Sequence, residues 1–159
     1  RLDIGTSVLF REAEPPGPGR ILDLGCGWGV IGLAIAVAVP EATVTAVDVN
    51  ERAVLLANEN AAALGVTDRY RATTPEATAE ASYDEIWSNP PIRIGKQALH
   101  DLLLTWLARL TPDGRAVMVV GKNLGGDSLQ RWLGEQGWPT QRIASAKGFR
   151  VLETPSARP

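Results

Sequence analysis
The chain has 159 residues, 45% hydrophobic and 21% charged, which suits one globular domain with a full core and excludes the disordered and fibrous classes. With one cysteine, Cys26, and one histidine, His100, no disulfide framework and no zinc-like ligand cluster are expected, and hence no metal. The net charge of −2 divides unevenly: residues 1–86 hold 6 Lys/Arg and 13 Asp/Glu, whereas residues 87–159 hold 10 and 5. A basic C-terminal half fits a polyanionic partner met by one side of the domain, and scattered surface charge gives the same totals.

The first stretch, RLDIGTSVLF, reads as a lead segment, and EAEPPGPG after it as a loop. Arg20 to Leu24 is a short buried strand. It breaks into the glycine turn GCGWG before an apolar helix, VIGLAIAVAV, which Pro40 ends. Ala42 to Val49 is continuous and β-branched, as in a central parallel strand. Asn50 then caps a helix from Glu51 to about Leu64, closed by Gly65. Tyr70 to Thr74 is a third strand, PEATAEAS a loop or frayed helix, and Tyr83 to Ser88 a fourth strand. Between Gly95 and Leu110, Leu99, Leu102, Leu103, Trp106 and Leu107 recur at three- and four-residue steps and define a helical face. TPDG is a turn, Ala116 to Gly121 a fifth strand, Asp127 to Gln136 a helix, and TQRIASA with GFRVLE a hairpin around Lys147-Gly148. Strands alternating with helices predict an α/β domain over residues 1–159, with a doubly wound, mostly parallel sheet of seven strands and an antiparallel C-terminal strand. No run reaches the ~18 apolar residues of a membrane span and no leader pattern opens the chain, so a cytoplasmic protein without a membrane partner is expected.

Ligands of such sheets lie beyond the carboxyl ends of the strands, where strand order reverses. Asp23-Leu24-Gly25-Cys26-Gly27-Trp28-Gly29 ends the first strand, and Gly25, Gly27 and Gly29 allow a tight turn with bare backbone against a ligand. Gly27-x-Gly29-x-x-Gly32 also fits a dinucleotide fingerprint. Asp48, with Val49 beside it, ends the second strand, and its two acceptor oxygens suit a ribose diol in either reading. Asp23 favours a ligand carrying an ammonium group, since a pyrophosphate would be repelled. By default Cys26 and Trp28 are fillers of the turn, with Trp28 able to close one side of the pocket. The fourth strand runs into Ser88-Asn89-Pro90-Pro91-Ile92. As a plain strand stop this is unremarkable, but opposite a glycine turn it becomes a candidate catalytic element.

Taken together, DLGCGWG, AVDVN and SNPPI in this order resemble the class I S-adenosylmethionine-dependent methyltransferases. More narrowly, NPPIRIGK, ALHDLLLTWLARL, GRAVMVVGKNLGGDSLQRWL and ASAKGFRVLE resemble the ribosomal small-subunit guanine-N2 methyltransferase family. The resemblance implies S-adenosylmethionine as cofactor, held by Asp23, Gly25, Cys26, Gly27, Asp48, Val49 and Asn89. It also implies a guanine amine of 16S ribosomal RNA as the methyl acceptor and a lead segment near Gly5 and Thr6 that closes over the cofactor. Some relatives carry a degenerate domain ahead of the catalytic one, and Arg1 leaves that open here. The Asn89 side-chain carbonyl and the Pro90 backbone carbonyl would accept the amine's two protons and aim its lone pair at the methyl carbon.

Pro91 and Ile92 would line the substrate side, with Arg93 and Lys96 on flanking phosphates and Lys122, Lys147 and Arg150 as further candidates for the same task. Ile92 stands where many amino-methyltransferases carry an aromatic residue that stacks on the base. The family's polar residue after the third strand has no clear counterpart in RATTPEAT, with Thr74 or a backbone group as substitute. His100 reads as a helix-surface residue. The readings that remain beside this one are methylation of a protein glutamine or a DNA adenine, a nicotinamide-dependent oxidoreductase, and a non-catalytic RNA-docking domain.

Overall fold
A computed structural model describes residues 3–78 and 81–156. In chain order the elements are α1 (Ile4–Glu12), β1 (Gly19–Leu24), α2 (Val30–Ala38), β2 (Ala42–Val47), α3 (Glu51–Leu64), β3 (Tyr70–Thr73), β4 (Tyr83–Ser88), α4 (Lys96–Leu107), β5 (Leu110–Gly121), α5 (Gly126–Glu135), β6 (Gln141–Ala146) and β7 (Phe149–Pro155). The seven strands form one sheet in the order β3-β2-β1-β4-β5-β7-β6. β1 to β5 pair in parallel, and β7 runs antiparallel to both β5 and β6. Order reverses between β1 and β4, so the crevice expected for a ligand opens past Leu24 and Ser88. No described helix is long and apolar enough to cross a membrane.

Alternation along the strands divides the core in two. Ile21, Val117 and Val119 face one layer with Val8, Leu9 and Ile35, while Leu22, Met118 and Val120 face the other with Leu103 and Leu133. Successive strand side chains point to opposite faces, so both faces of a central strand must be apolar. That rule makes Asp23 conspicuous: its neighbours Leu22 and Leu24 face the α4 layer, so Asp23 points toward α2, where it is 1% exposed.

Three predicted boundaries change. The lead segment is a helix, begun by Asp3, whose Oδ1 accepts the Thr6 N–H at 2.7 Å. Its buried face is Gly5, Thr6, Val8 and Leu9, and Phe10 stacks on Trp87 with ring centroids 5.8 Å apart. TPDG is not a free turn but an excursion inside β5. Tyr83 faces Leu110 and Glu85 faces Arg115, so two steps of β4 span five of β5. PEAT forms a 3-10 turn, Pro75–Thr78, while Ala79 and Glu80 of the predicted loop lie outside the described residues. The predicted hairpin is present, with Lys147 at φ 52 and Gly148 at φ 82 joining Ala146 to Phe149, as a two-residue turn with both φ positive requires.

The Pro/Gly loop ahead of β1 is tied down from beneath. Glu85, buried near the start of β4, accepts the Gly17 N–H at 2.8 Å, the Trp87 Nε1–H at 2.8 Å and an Arg115 N–H at 3.1 Å. Arg115 also donates to the carbonyls of Glu14 and Pro15 and to Glu153. This network closes the amino edge of the sheet, opposite the crevice.

Candidate active site
The glycine turn is positioned by β2. Both the Gly25 and Cys26 N–H groups donate to the Val47 carbonyl at 2.9 Å, and Gly27 N–H donates to Asp48 Oδ2 at 2.9 Å. Asp48 Oδ1 accepts the Asn50 N–H at 2.9 Å, which turns the chain out of the ladder and ends β2 at Val47 rather than at the predicted Val49. Each carboxylate oxygen keeps a second lone pair for a further donor. At Gly25 (φ +71) a Cβ would meet Pro91 Cδ at 3.3 Å, so the absence of a side chain lets the proline motif abut the turn.

Ser88 holds the other lip. Fully buried, it donates its hydroxyl to the Leu24 carbonyl at 2.7 Å, which pins the ends of β1 and β4 together one residue before Asn89. Asn89 is exposed, and among the described residues its carboxamide makes no hydrogen bond. Pro90 is buried, and its carbonyl accepts the Ile92 N–H at 2.9 Å, a bond that fixes the carbonyl's direction and leaves one lone pair open.

Two cavities flank Gly25. One, of about 280 Å³, is apolar and is walled by Val47, Val49, Pro75, Pro91, Ala98 and Leu102, with Asp48 at its edge. Val49 lies there 76% exposed, an apolar surface without a protein partner. The other, of about 210 Å³, is more polar and is lined by Thr6, Gly25, Cys26, Gly27, Trp28 and Asn89, with Asp3 also on its wall. A crevice that passes from an apolar slot, over a carboxylate with free lone pairs, to a polar chamber fits an elongated nucleoside: flat base, ribose diol and charged tail in that order. The residues therefore suit the cofactor that the sequence implies.

The electrostatics favour a cationic tail. Burial, partly offset by the Gly32 N–H and reinforced by Asp48, raises the Asp23 carboxyl to about 7. Its Oδ2 accepts the Gly32 N–H at 2.8 Å, while among the described residues neither Oδ1 nor the buried Tyr70 hydroxyl has a partner. Desolvation, helped by Asp23, raises the Tyr70 and Cys26 groups, which keeps both protonated.

The structure brings Gly25, Cys26, Gly27, Asp48, Val49, Asn89 and Pro91 to the two cavities and sets Asp23 beneath the turn rather than on a cavity wall. Ile92 and Lys96 face a third cavity, between α4 and α5, and Arg93 is exposed. Pro75, not Thr74, supplies the wall after β3. Arg150 is removed as a phosphate ligand: its Nε donates to Asp127 at 3.1 Å and its side chain is 11% exposed. His100 is not a free surface residue either, since its ring stacks on Trp132. Sequence reasoning missed Ser88, which only the register of β1 against β4 reveals, and Asp3, whose place three residues before Thr6 is a capping signal. It also missed the wall formed by Ala98, Leu102 and Trp106 of α4, with Ile94 just ahead of the helix, although the four-residue spacing of the three marks one helix face.

Fold and crevice together define a doubly wound domain built to hold a nucleoside with a cationic tail at its switch point. Residues 1–153 match the methyltransferase small domain model, and the chain belongs to that family. It is a methyltransferase domain of the class that uses S-adenosylmethionine. An uncharacterized protein, YbxB, of Bacillus subtilis (strain 168) is 33% identical over 96% of this chain and 78% of its own length. Ribosomal RNA small subunit methyltransferase C of Ectopseudomonas mendocina (strain ymp) is 31% identical over 95% of this chain, which spans 46% of that relative. Among solved structures, the Thermus thermophilus 16S rRNA N2 G1207 methyltransferase (RsmC), in complex with AdoMet and guanosine, superposes with a TM-score of 0.82 at 25% identity, covering 98% of this chain and 44% of its own.

Proposed function
We propose that this domain methylates the N2 amine of a guanine in small-subunit ribosomal RNA, with Asn89 and Pro90 as the groups that orient the amine. The observation that carries the reading is the Asn89 carboxamide, exposed, without a hydrogen bond among the described residues and on the wall of the polar cavity beside the glycine turn. The names of the methyltransferase C relatives and the AdoMet–guanosine complex of the Thermus enzyme support the same substrate. That RNA is cytoplasmic in bacteria, and the protein would work there.

S-adenosylmethionine supplies an activated methyl group on a sulfonium, so no nucleophilic side chain is needed. Asp48 would take the ribose diol on its open lone pairs, and Val49, Pro75, Ala98 and Leu102 would enclose the adenine. Asp23 would act through the turn rather than by contact, a buried carboxyl whose ionised form an ammonium above it would favour. An arylamine nitrogen is a poor nucleophile because its lone pair is delocalised into the ring. The Asn89 side-chain carbonyl and the free lone pair of the Pro90 carbonyl accept hydrogen bonds from the two amine N–H groups, favour a pyramidal nitrogen and strengthen as positive charge develops on it; once the nitrogen–methyl bond has formed, the cationic nitrogen releases one proton to solvent. Pro90 and Pro91 fix φ and keep the acceptors from drifting. α1 roofs the chamber with Asp3 and Thr6, Trp28 closes its outer side, and Arg93 holds a substrate phosphate.

Incubation with tritiated S-adenosylmethionine and separated RNA, DNA and protein fractions tests the substrate. Label in ribosomal RNA is expected; label confined to DNA or protein would move the same acceptors to an adenine or a glutamine amide. Tight binding of NADH without binding of S-adenosylmethionine would restore the oxidoreductase reading.

A further inference from the structure
α4 has two working faces. Ala98, Leu102 and Trp106 wall the apolar cofactor slot, whereas Lys96, Leu99 and His100 turn toward α5. There, with Ser128, Arg131 and Trp132, they enclose a cavity of about 350 Å³ that the methyl-transfer scheme leaves unused. Ile92, the residue after the Asn-Pro-Pro turn, forms part of its wall, so the cavity adjoins the site of the amine.

Its lining combines two features. One is aromatic: His100 lies on Trp132 with ring centroids 3.5 Å apart and planes 11° from parallel. Desolvation and the Lys96 charge, opposed by Asp101, lower the His100 pKa, which favours the neutral ring. The other is cationic: Lys96 and Arg131 are exposed and take part in no ion pair among the described residues. Lys96 opens α4, where the helix dipole disfavours a positive charge. One acid, Glu135, sits on the last turn of α5. Ring surface for a base, with cations spaced for a backbone, is how single-stranded nucleic acid is held. An acidic peptide would use the cations and leave the rings without a partner.

We infer that this cavity binds the nucleotide flanking the methylated one in a single-stranded RNA segment, its base against the His100–Trp132 pair and its phosphate on Lys96 and Arg131. The inference rests on the RNA reading above and names how that RNA is gripped. It gives the strand an aromatic hold beside Ile92, which has no π-face, by fixing the neighbour of the target base.

The test is NMR of nitrogen-15-labelled protein titrated with a short single-stranded oligoribonucleotide, repeated with a glutamate-rich peptide. The Trp132 indole N–H and the Ser128 and Arg131 amides should shift with RNA. Trp132→Leu should weaken binding roughly tenfold, the effect of losing one base stack. Trp132 is partly packed on the core, so Arg131→Gln, at an exposed position, is the second variant; it should weaken binding and lower the salt slope by about one. RNA-induced shifts confined to the neighbourhood of Asn89, with both variants binding like the unmodified chain, would overturn the flanking-nucleotide site and leave RNA methylation standing. Shifts of the cavity by the peptide and not by RNA would assign it to a protein partner, against the inference. No response to RNA anywhere would overturn both readings.

Discussion

The Ser88 hydroxyl is committed to the Leu24 carbonyl, 2.7 Å away, while the neighbouring Asn89 carboxamide is exposed and, among the described residues, makes no hydrogen bond, as the acceptor role proposed for it requires. The two residues divide the labour of the strand end, one fixing position and the other left free to accept. Asp48 does both, holding the Gly27 and Asn50 N–H groups while keeping lone pairs open for the diol proposed to bind there. Asp48→Ala should weaken S-adenosylmethionine binding by ~1–3 kcal/mol, as for a lost hydrogen bond to a charged group, measurable by calorimetry. Unchanged affinity would remove Asp48 from the cofactor site. Asp23 carries a separate, pH-dependent cost. Its carboxyl is raised to about 7, first by burial, whereas in the unfolded chain it ionises near ~4. Between those values the folded state binds more protons than the unfolded one, so this group makes stability fall as pH rises, with the full cost present above about pH 7. Asp23→Asn should flatten that fall and be the more stable form at about pH 8. Urea midpoints at about pH 5 and about pH 8 decide it, and parallel curves for the two proteins would show that Asp23 does not titrate in this window.

At the scale of elements, the strands and long helices were legible because their patterns are strong and local. Asn50 and Gly65 bracket α3 as read, the apolar faces of α4 and α5 fall where their spacing places them, and Lys147-Gly148 makes the expected turn. The rest depends on partners far along the chain. α1 is short, and its buried face is completed by Phe149 and Trp87, which no local window contains; a Cβ at Gly5 would lie 2.9 Å from Phe149 Cε1. TPDG has turn composition, but β4 sets its fate by pairing on either side of it. Of the candidate site, the glycine turn, Asp48 and Asn89 were readable as motifs, while Ser88 and the walls from α4 needed the sheet register and the helix placement. The Glu85–Arg115 pair is equally invisible in sequence, its members 30 residues apart. Both are largely buried, at 11% and 18% side-chain exposure, so Arg115→Met should leave Glu85 uncompensated and cost ~3 kcal/mol, read from urea denaturation. A loss within ~0.5 kcal/mol would mean the network does not hold the loop under β1.

For the molecule as a whole, the basic surplus of the C-terminal half divides into paired and open cations. In the basic half, Arg115, Arg142 and Arg150 are engaged with Glu85, Glu153 and Asp127. Arg93, Lys96, Lys122 and Lys147 are exposed, in no ion pair among the described residues, and follow the ends of β4, β5 and β6. Lys122 N–H donates to the Gly148 carbonyl at 2.8 Å, so two of these turns are joined. The open cations thus border the edge of the sheet that carries the crevice, on its β4–β5–β6 side, while Asp3 and Asp48 lie on the crevice walls themselves. Binding of single-stranded RNA should therefore weaken with salt at a log–log slope of about −3, the value for four or five phosphate contacts. A slope near zero would deny the cationic edge a part in binding.

The central claim joins the two scales: one free carboxamide beside the glycine turn decides whether a guanine amine is methylated. The most direct measurement is nucleoside mass spectrometry of small-subunit ribosomal RNA treated with S-adenosylmethionine and either the unmodified protein or Asn89→Ala. N2-methylguanosine should form with the former and fall by at least ~100-fold with the latter, as for loss of a group acting in the transition state, while cofactor affinity changes little. Equal formation of N2-methylguanosine by both proteins, or its absence from RNA treated with the unmodified chain, would contradict the account.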